Sequence, residues 1–232
     1  MHRSTTLAAI AAAALLGSAL QAAPTLIYST DFEVRELPGE WSANYRRIED
    51  HGAFSVFNGR YSQGWTGLTL AAPTLQAPTG PTPAGTPGAT LVTRYTLVFD
   101  LYIIDSWDAS NTYGGYDRFL VSVNGTPLVD WGFTNTGGMQ RNPLTASRVG
   151  NLGFASTAPD AIYRNVTLTF DTAPGQSLFI KFYDQNLGGV SDEGWGIDNV
   201  KLYGEVLRIP TPSAALGLGA GLTLAMRRRR AN

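Results

Sequence analysis

Asp31, Phe32 and Glu33 follow one another near the start of the chain, and on an extended strand the two carboxylates fall on the same side. Two hard oxygen donors converging in this way suit calcium, which takes about six to eight oxygens, the rest from backbone carbonyls and water. The same pair also serves as solvated edge carboxylates or turn formers. A second concentration lies in the loop over 105–117, where Asp105, Asp108, Asn111 and Asp117 supply oxygens and Trp107, Tyr113 and Tyr116 supply rings. Sugar recognition uses this mixture, because the apolar face of a pyranose lies on an aromatic plane while polar groups fix its hydroxyls. On that reading Trp107, with Tyr113 or Tyr116, is the platform, and Asp105 and Asp108 orient the loop through hydrogen bonds or an ion. Two other uses compete for the same residues. The acids suit a second calcium site, and Trp107 suits burial at the end of a β-sandwich, with the acids left to solubilise the loop.

Catalytic constellations are sparse. Asp192 and Glu193 are adjacent and point apart on a strand, whereas glycosidases hold two carboxyls about 5 to 10 Å apart across the scissile bond. Beyond the first residues His51 is the sole histidine, so a zinc cluster of histidines is excluded and a Ser-His-Asp triad would depend on it alone. Set in Glu49-Asp50-His51-Gly52, it reads as a turn residue. The chain has no cysteine, which removes disulfides, thiolate metal sites and thiol catalysis. Net charge is −1 and the only dense basic run is Arg227 to Arg230, so no nucleic-acid footprint remains.

The elements that must position these residues are strands. Tyr95, Leu97, Phe99, Leu101 and Ile103 alternate along one face of a long strand running to Asp105. Phe119 to Val123 and Thr126 to Trp131 alternate on either side of Asn124-Gly125, a hairpin signal because both turn residues accept positive φ. A second hairpin is expected from Val166, Leu168 and Phe170 through Thr172 to Gly175 into Leu178, Ile180 and Phe182. Further strands are expected at Leu26 to Glu33, Gly52 to Phe57, Tyr61 to Leu70 and Ile197 to Tyr203. A proline-rich loop over 71–90, with Pro73, Pro78, Pro81, Pro83 and Pro87, cannot hold a central strand. No helical period is sustained, and many short strands between Gly, Pro and Asn turns predict an all-β, two-sheet antiparallel jelly-roll sandwich.

Both ends read as addresses. Residues 1–22 combine Arg3, an apolar run from Leu7 to Leu20 and small residues at Ala22, the plan of a secretory signal peptide. At the other end Pro210, Thr211 and Pro212 precede an apolar run from Ala214 to Met226 and then Arg227, Arg228, Arg229 and Arg230. An apolar segment with a cationic stop enters a bilayer and keeps its arginines on the cytoplasmic side. Residues 23–206 are then the folded domain and 207–232 the tail. The tail resembles the PEP-CTERM sorting tail of Gram-negative bacteria, with Thr211 standing where that family carries glutamate. The resemblance implies transient insertion of a hydrophobic helix in the inner membrane and processing by an exosortase; a permanent C-terminal anchor is the alternative.

The start, Thr30-Asp31-Phe32-Glu33, and the end, Asp192-Glu193-Gly194-Trp195-Gly196-Ile197-Asp198-Asn199-Val200, together resemble the jelly-roll carbohydrate-binding modules and MAM domains. That resemblance implies that first and last strands are neighbours, and that Asp198 joins Asp31 and Glu33 around a structural calcium. Parity opposes it, since Asp198 shares a face with Val200 and Leu202 unless a bulge intervenes. The expectation is an exported, noncatalytic protein of the cell surface or extracellular matrix that binds exopolysaccharide or another glycan. A polysaccharide hydrolase or lyase on the same scaffold, and a purely structural adhesion protein, are the alternatives.

Overall fold

The structure, a computed structural model, describes residues 23–36, 39–79, 89–109, 115–154 and 157–210. The leader, Tyr113, and the sorting residues Thr211, Pro212 and Arg227 to Arg230 lie outside the described residues. Among the described residues eleven strands form and no helix does: β1 (Thr25–Thr30), β2 (Arg47–Ile48), β3 (Phe57–Tyr61), β4 (Trp65–Leu70), β5 (Ala89–Asp105), β6 (Arg118–Val123), β7 (Thr126–Gly132), β8 (Arg148–Gly150), β9 (Asp160–Thr172), β10 (Leu178–Gln185) and β11 (Glu193–Pro210). All pairings are antiparallel. One sheet runs β2-β3-β11-β5-β9-β8, with β1 also paired to β11, and the other runs β4-β10-β6-β7.

Alternation explains why two layers form. Tyr95, Leu97, Phe99, Leu101 and Ile103 of β5 are buried on the face that meets Phe119, Val121 and Val123 of β6 and Ile180 and Phe182 of β10, in one core shared by both sheets. The long strands β5 and β11 are the spine, paired from Asp105 with Glu193 to Ala89 with Pro210. β11 therefore continues past Val206, where the sequence reading placed the start of the tail. The first and last strands are neighbours, with Thr30 opposite Val200.

The Asn124-Gly125 hairpin forms as expected, with φ of 49° and 83° at the two residues. The second expected hairpin does not. β9 pairs with β5 and β8, and β10 pairs with β4 and β6, so the Thr172 to Gly175 turn carries the chain from one layer to the other. Both strands point their apolar residues into the same core, and alternation alone does not report which layer a strand occupies. The segment Gly52 to Val56, expected as strand, is a turn around the His51–Phe54 bridge, with β3 starting only at Phe57. It folds Phe54 over Phe57 and Tyr102, forming a smaller apolar cluster with Ile104, Leu152 and Ile162 on the far side of the spine.

Candidate functional site

The predicted ligand trio does not assemble. β1 ends at Thr30, and Phe32, at φ 57°, turns its ring inward against Trp41 and Tyr45. Asp31 and Glu33 are left exposed, Asp31 accepting the Glu33 backbone N–H at 3.2 Å. Asp198 is 1 % exposed and its oxygens are occupied by protein donors. Ser55 Oγ and the Tyr102 hydroxyl donate to it at 2.6 and 2.9 Å, and Asn199 donates from its backbone N–H and its amide at 2.6 and 3.1 Å. A bulge does intervene. The β5–β11 register shifts between Asp198 and Lys201, with Asn199 at φ 50°, so Asp198 meets Tyr102 while Val200 and Leu202 stay in the main core.

The predicted sugar platform is also corrected. Trp107 is 0 % exposed, packs edge-on against Phe133 at 5.9 Å, and donates its indole N–H to the Gly194 carbonyl at 2.8 Å. Burial on every side leaves no ring face for a sugar. Asp105 is equally buried and forms an ion pair with Arg60. Tyr116 is half-buried, its ring covered by the guanidinium of Arg141 at 4.5 Å and approached by that of Arg118 at 5.6 Å.

Trp107 acts instead as a plug that fixes Asp108 beside it. Among the described residues, the group of acidic ligand atoms close enough to share an ion is Asp108, Asp117 and Glu193, all within 4.8 Å of one another. Asp108 follows the end of β5, Asp117 immediately precedes β6, and Glu193 opens β11 opposite Asp105. The Asp108 backbone N–H donates to Asp117 Oδ2 at 2.5 Å, and the Gly188 N–H donates to Glu193 Oε2. Asp117 is 3 % exposed and Glu193 7 %, and among the described residues no salt bridge neutralises either. Burial pushes the Asp117 carboxyl up to about 7, with the Asp108 N–H opposing and the Glu193 and Asp108 charges adding to the rise. Burial raises Glu193 as well, against the Gly188 N–H. Three converging hard oxygen donors, two of them buried carboxyls without a salt bridge, are the donor set a hard divalent cation satisfies. Asp108 and Asp117 belong to the calcium alternative visible in the sequence; Glu193 was missed because its partners lie about 80 residues away in sequence and meet it only across the β5–β11 pairing.

A second arrangement lies on the four-stranded sheet. Leu178, Ile180 and Phe182 of β10 point into the core, so Phe179, Lys181 and Tyr183 face outward and are half-exposed. Tyr183 lies opposite Trp65 and Lys181 opposite Gly67. The absence of a side chain at Gly67 matters here: a Cβ would stand 2.6 Å from Phe179 Cε2, so glycine is what lets that ring lie across β4, edge-on to Trp65 at 6.3 Å. Lys181 Nζ sits 5.3 Å from the centroid of Trp65 and 4.7 Å from that of Tyr183. Trp65 also borders a pocket of about 380 Å³ with Asn44, Tyr45, Arg46, Tyr61 and Gln63. The Tyr45 hydroxyl is buried there without a protein hydrogen-bond partner. The outward triplet Phe179, Lys181, Tyr183 was legible as alternation, but not which ring would be left uncovered. His51, the histidine weighed for catalysis, is exposed in its turn and lies tilted against Phe154, ring centroids 4.8 Å apart.

Compared with known proteins, the sequence matches no family model, and no curated protein is similar to it.

Proposed function

We propose that the chain is an exported, noncatalytic protein of the cell surface or matrix that binds glycan on a jelly-roll β-sandwich, its C-terminal tail read by an exosortase-type enzyme after transient insertion in the inner membrane. The observation that carries the binding reading is the pocket beside Trp65. A half-exposed indole borders a cavity lined by Asn44, Tyr45 and Gln63, with Arg46 at its wall. This combines an apolar plane with several hydrogen-bonding groups, the chemistry a hexose needs. The two buried carboxyls of Asp117 and Glu193 favour a structural role over a hydrolytic one, since a polysaccharide cannot reach groups 3 % and 7 % exposed.

Calcium, on this proposal, is held by Asp108, Asp117 and Glu193. Bound there it supplies charge neutralisation, tying the end of β5 and the start of β6 to the start of β11. Glycan binding is tested by native electrophoresis through gels containing polysaccharide. Wild type is expected to be retarded and Trp65→Ala to migrate as in a gel without polymer while keeping its circular dichroism spectrum. Equal retardation of the two would remove the site from the pocket.

A further inference from the structure

Two cations lie at the Trp65 surface, Lys181 against its ring and Arg46 in the pocket it borders. Lys181 lies between the rings of Trp65 and Tyr183 on the sheet face, and Arg46 lines the pocket that Trp65 borders. Neither takes part in a salt bridge among the described residues, whereas the neighbouring Arg118 on the same face is paired with Asp130. No carboxylate lines the pocket either: its walls are Ala43, Asn44, Tyr45, Arg46, Tyr61, Gln63, Gly64 and Trp65. The chain as a whole is near neutral, with 17 basic and 18 acidic residues, so this uncompensated pair is a local feature and not the overspill of a basic protein.

Resting on the glycan-binding reading, we propose that the Arg46–Trp65–Lys181 surface selects an acidic glycan, a chain of hexose rings that carry carboxylates. The ring faces of such a chain stack on Trp65 and Tyr183, whose separation across adjacent strands is fixed by their direct pairing. Its carboxylates reach Lys181 on the sheet face and Arg46 at the pocket. Arg46 is fully suited to the role: it is exposed, its guanidinium lies over the Tyr61 ring at 5.7 Å, and the planar fork matches a carboxylate in two bonds. Lys181 contributes a point charge whose freedom is already reduced by the two rings that bracket it. A neutral hexose polymer would use the same ring faces and amides but would leave both cations unanswered.

The test measures affinity of the full secreted protein for alginate, for dextran as a neutral polymer, and for polyglutamate as a polyanion without sugar rings, each across a range of salt. Alginate is expected to bind more tightly than either control. The Arg46→Gln, Lys181→Gln double variant should lose about tenfold in alginate affinity, with a flatter salt dependence, and Lys181→Gln alone, which leaves the pocket lining intact, should weaken alginate binding and keep its dextran affinity. Trp65→Phe, which retains a ring, tests the stacking part if Trp65→Ala fails to fold. Equal binding of alginate and dextran overturns the acidic selectivity and leaves the glycan reading standing. Equal binding of alginate and polyglutamate shows simple ion exchange and overturns the role of the rings. No retention of either sugar polymer overturns both the selectivity and the glycan reading.

Discussion

Two residues that look equally functional in the sequence, Trp107 and Trp65, have opposite fates, and burial decides between them. Trp107 is sealed in the core with its indole N–H bonded to Gly194, so Trp107→Ala is expected to cost about 3 to 5 kcal/mol of unfolding free energy in urea titration, with no change in glycan affinity per folded molecule. Trp107→Phe should cost less, about 1 to 3 kcal/mol, chiefly by leaving a buried carbonyl without its donor. The acids divide in the same way. Calcium is expected to raise the melting temperature and Asp117→Asn to abolish that rise, because a ligand stabilises only through the native site it binds. Asp198→Asn should lower stability equally with calcium and with chelator, since Asp198 is held by Ser55, Tyr102 and Asn199. Calcium dependence that follows Asp198 and ignores Asp117 would return the site to the first and last strands.

At the scale of elements, the bulge at Asn199 is the device that lets one strand serve two clusters. With φ at 50°, Asn199 turns Asp198 away from the main core, and its amide bonds Asp100 at 2.8 Å, the carboxylate that also pairs with Arg164. Asn199→Ala keeps neither the preference for that backbone conformation nor the amide, and is expected to cost about 2 kcal/mol in equilibrium unfolding. Asn199→Gly relieves the backbone and should recover part of that loss. If the alanine and glycine variants are equally unstable, the backbone conformation contributes nothing and the amide accounts for the whole effect. The hairpin signal at Asn124-Gly125 succeeded for a related reason: local backbone chemistry alone fixes a two-residue turn. The Thr172 to Gly175 turn carries comparable residues, yet the strands it joins belong to different sheets, a choice made by their partners β5 and β6.

Over the whole molecule, the buried carboxyls set the response to pH. Burial raises Asp117, Asp160, Asp184, Glu193 and Asp198 above the ordinary carboxylate range, Asp117 to about 7. Between the unfolded carboxyl value, near pH 4, and pH 7 the native state therefore holds more protons than the unfolded chain, so stability falls as pH rises through that window. Asp171, lowered by its hydrogen bonds to Arg94, acts in the opposite sense, but this pair is solvent-screened at the surface. In chelator the melting temperature is expected to decrease from pH 5 to pH 8, and in excess calcium the decrease should shrink, because the cation favours the ionised carboxyls. A melting temperature that climbs with pH in chelator would show that the surface pairs dominate.

The sequence by itself determined the layer architecture: alternation along Tyr95 to Ile103, Phe119 to Val123 and Leu178 to Phe182 requires strands with one buried face, and those strands form. The leader and the sorting residues from Thr211 onward, expected from composition and charge order, lie outside the described residues. Only the tertiary structure decided which acids converge. Asp108 and Asp117 share a loop, but Glu193 joins them because β11 pairs with β5 in a register that sets Glu193 against Asp105, and strand register is a property of the whole sheet. Exposure was equally out of reach, since a tryptophan's burial depends on what the rest of the chain places over it. Phe133 and Gly194 cover Trp107, whereas Trp65, with Lys181 and Phe179 as its neighbours on the sheet face, stays half-exposed.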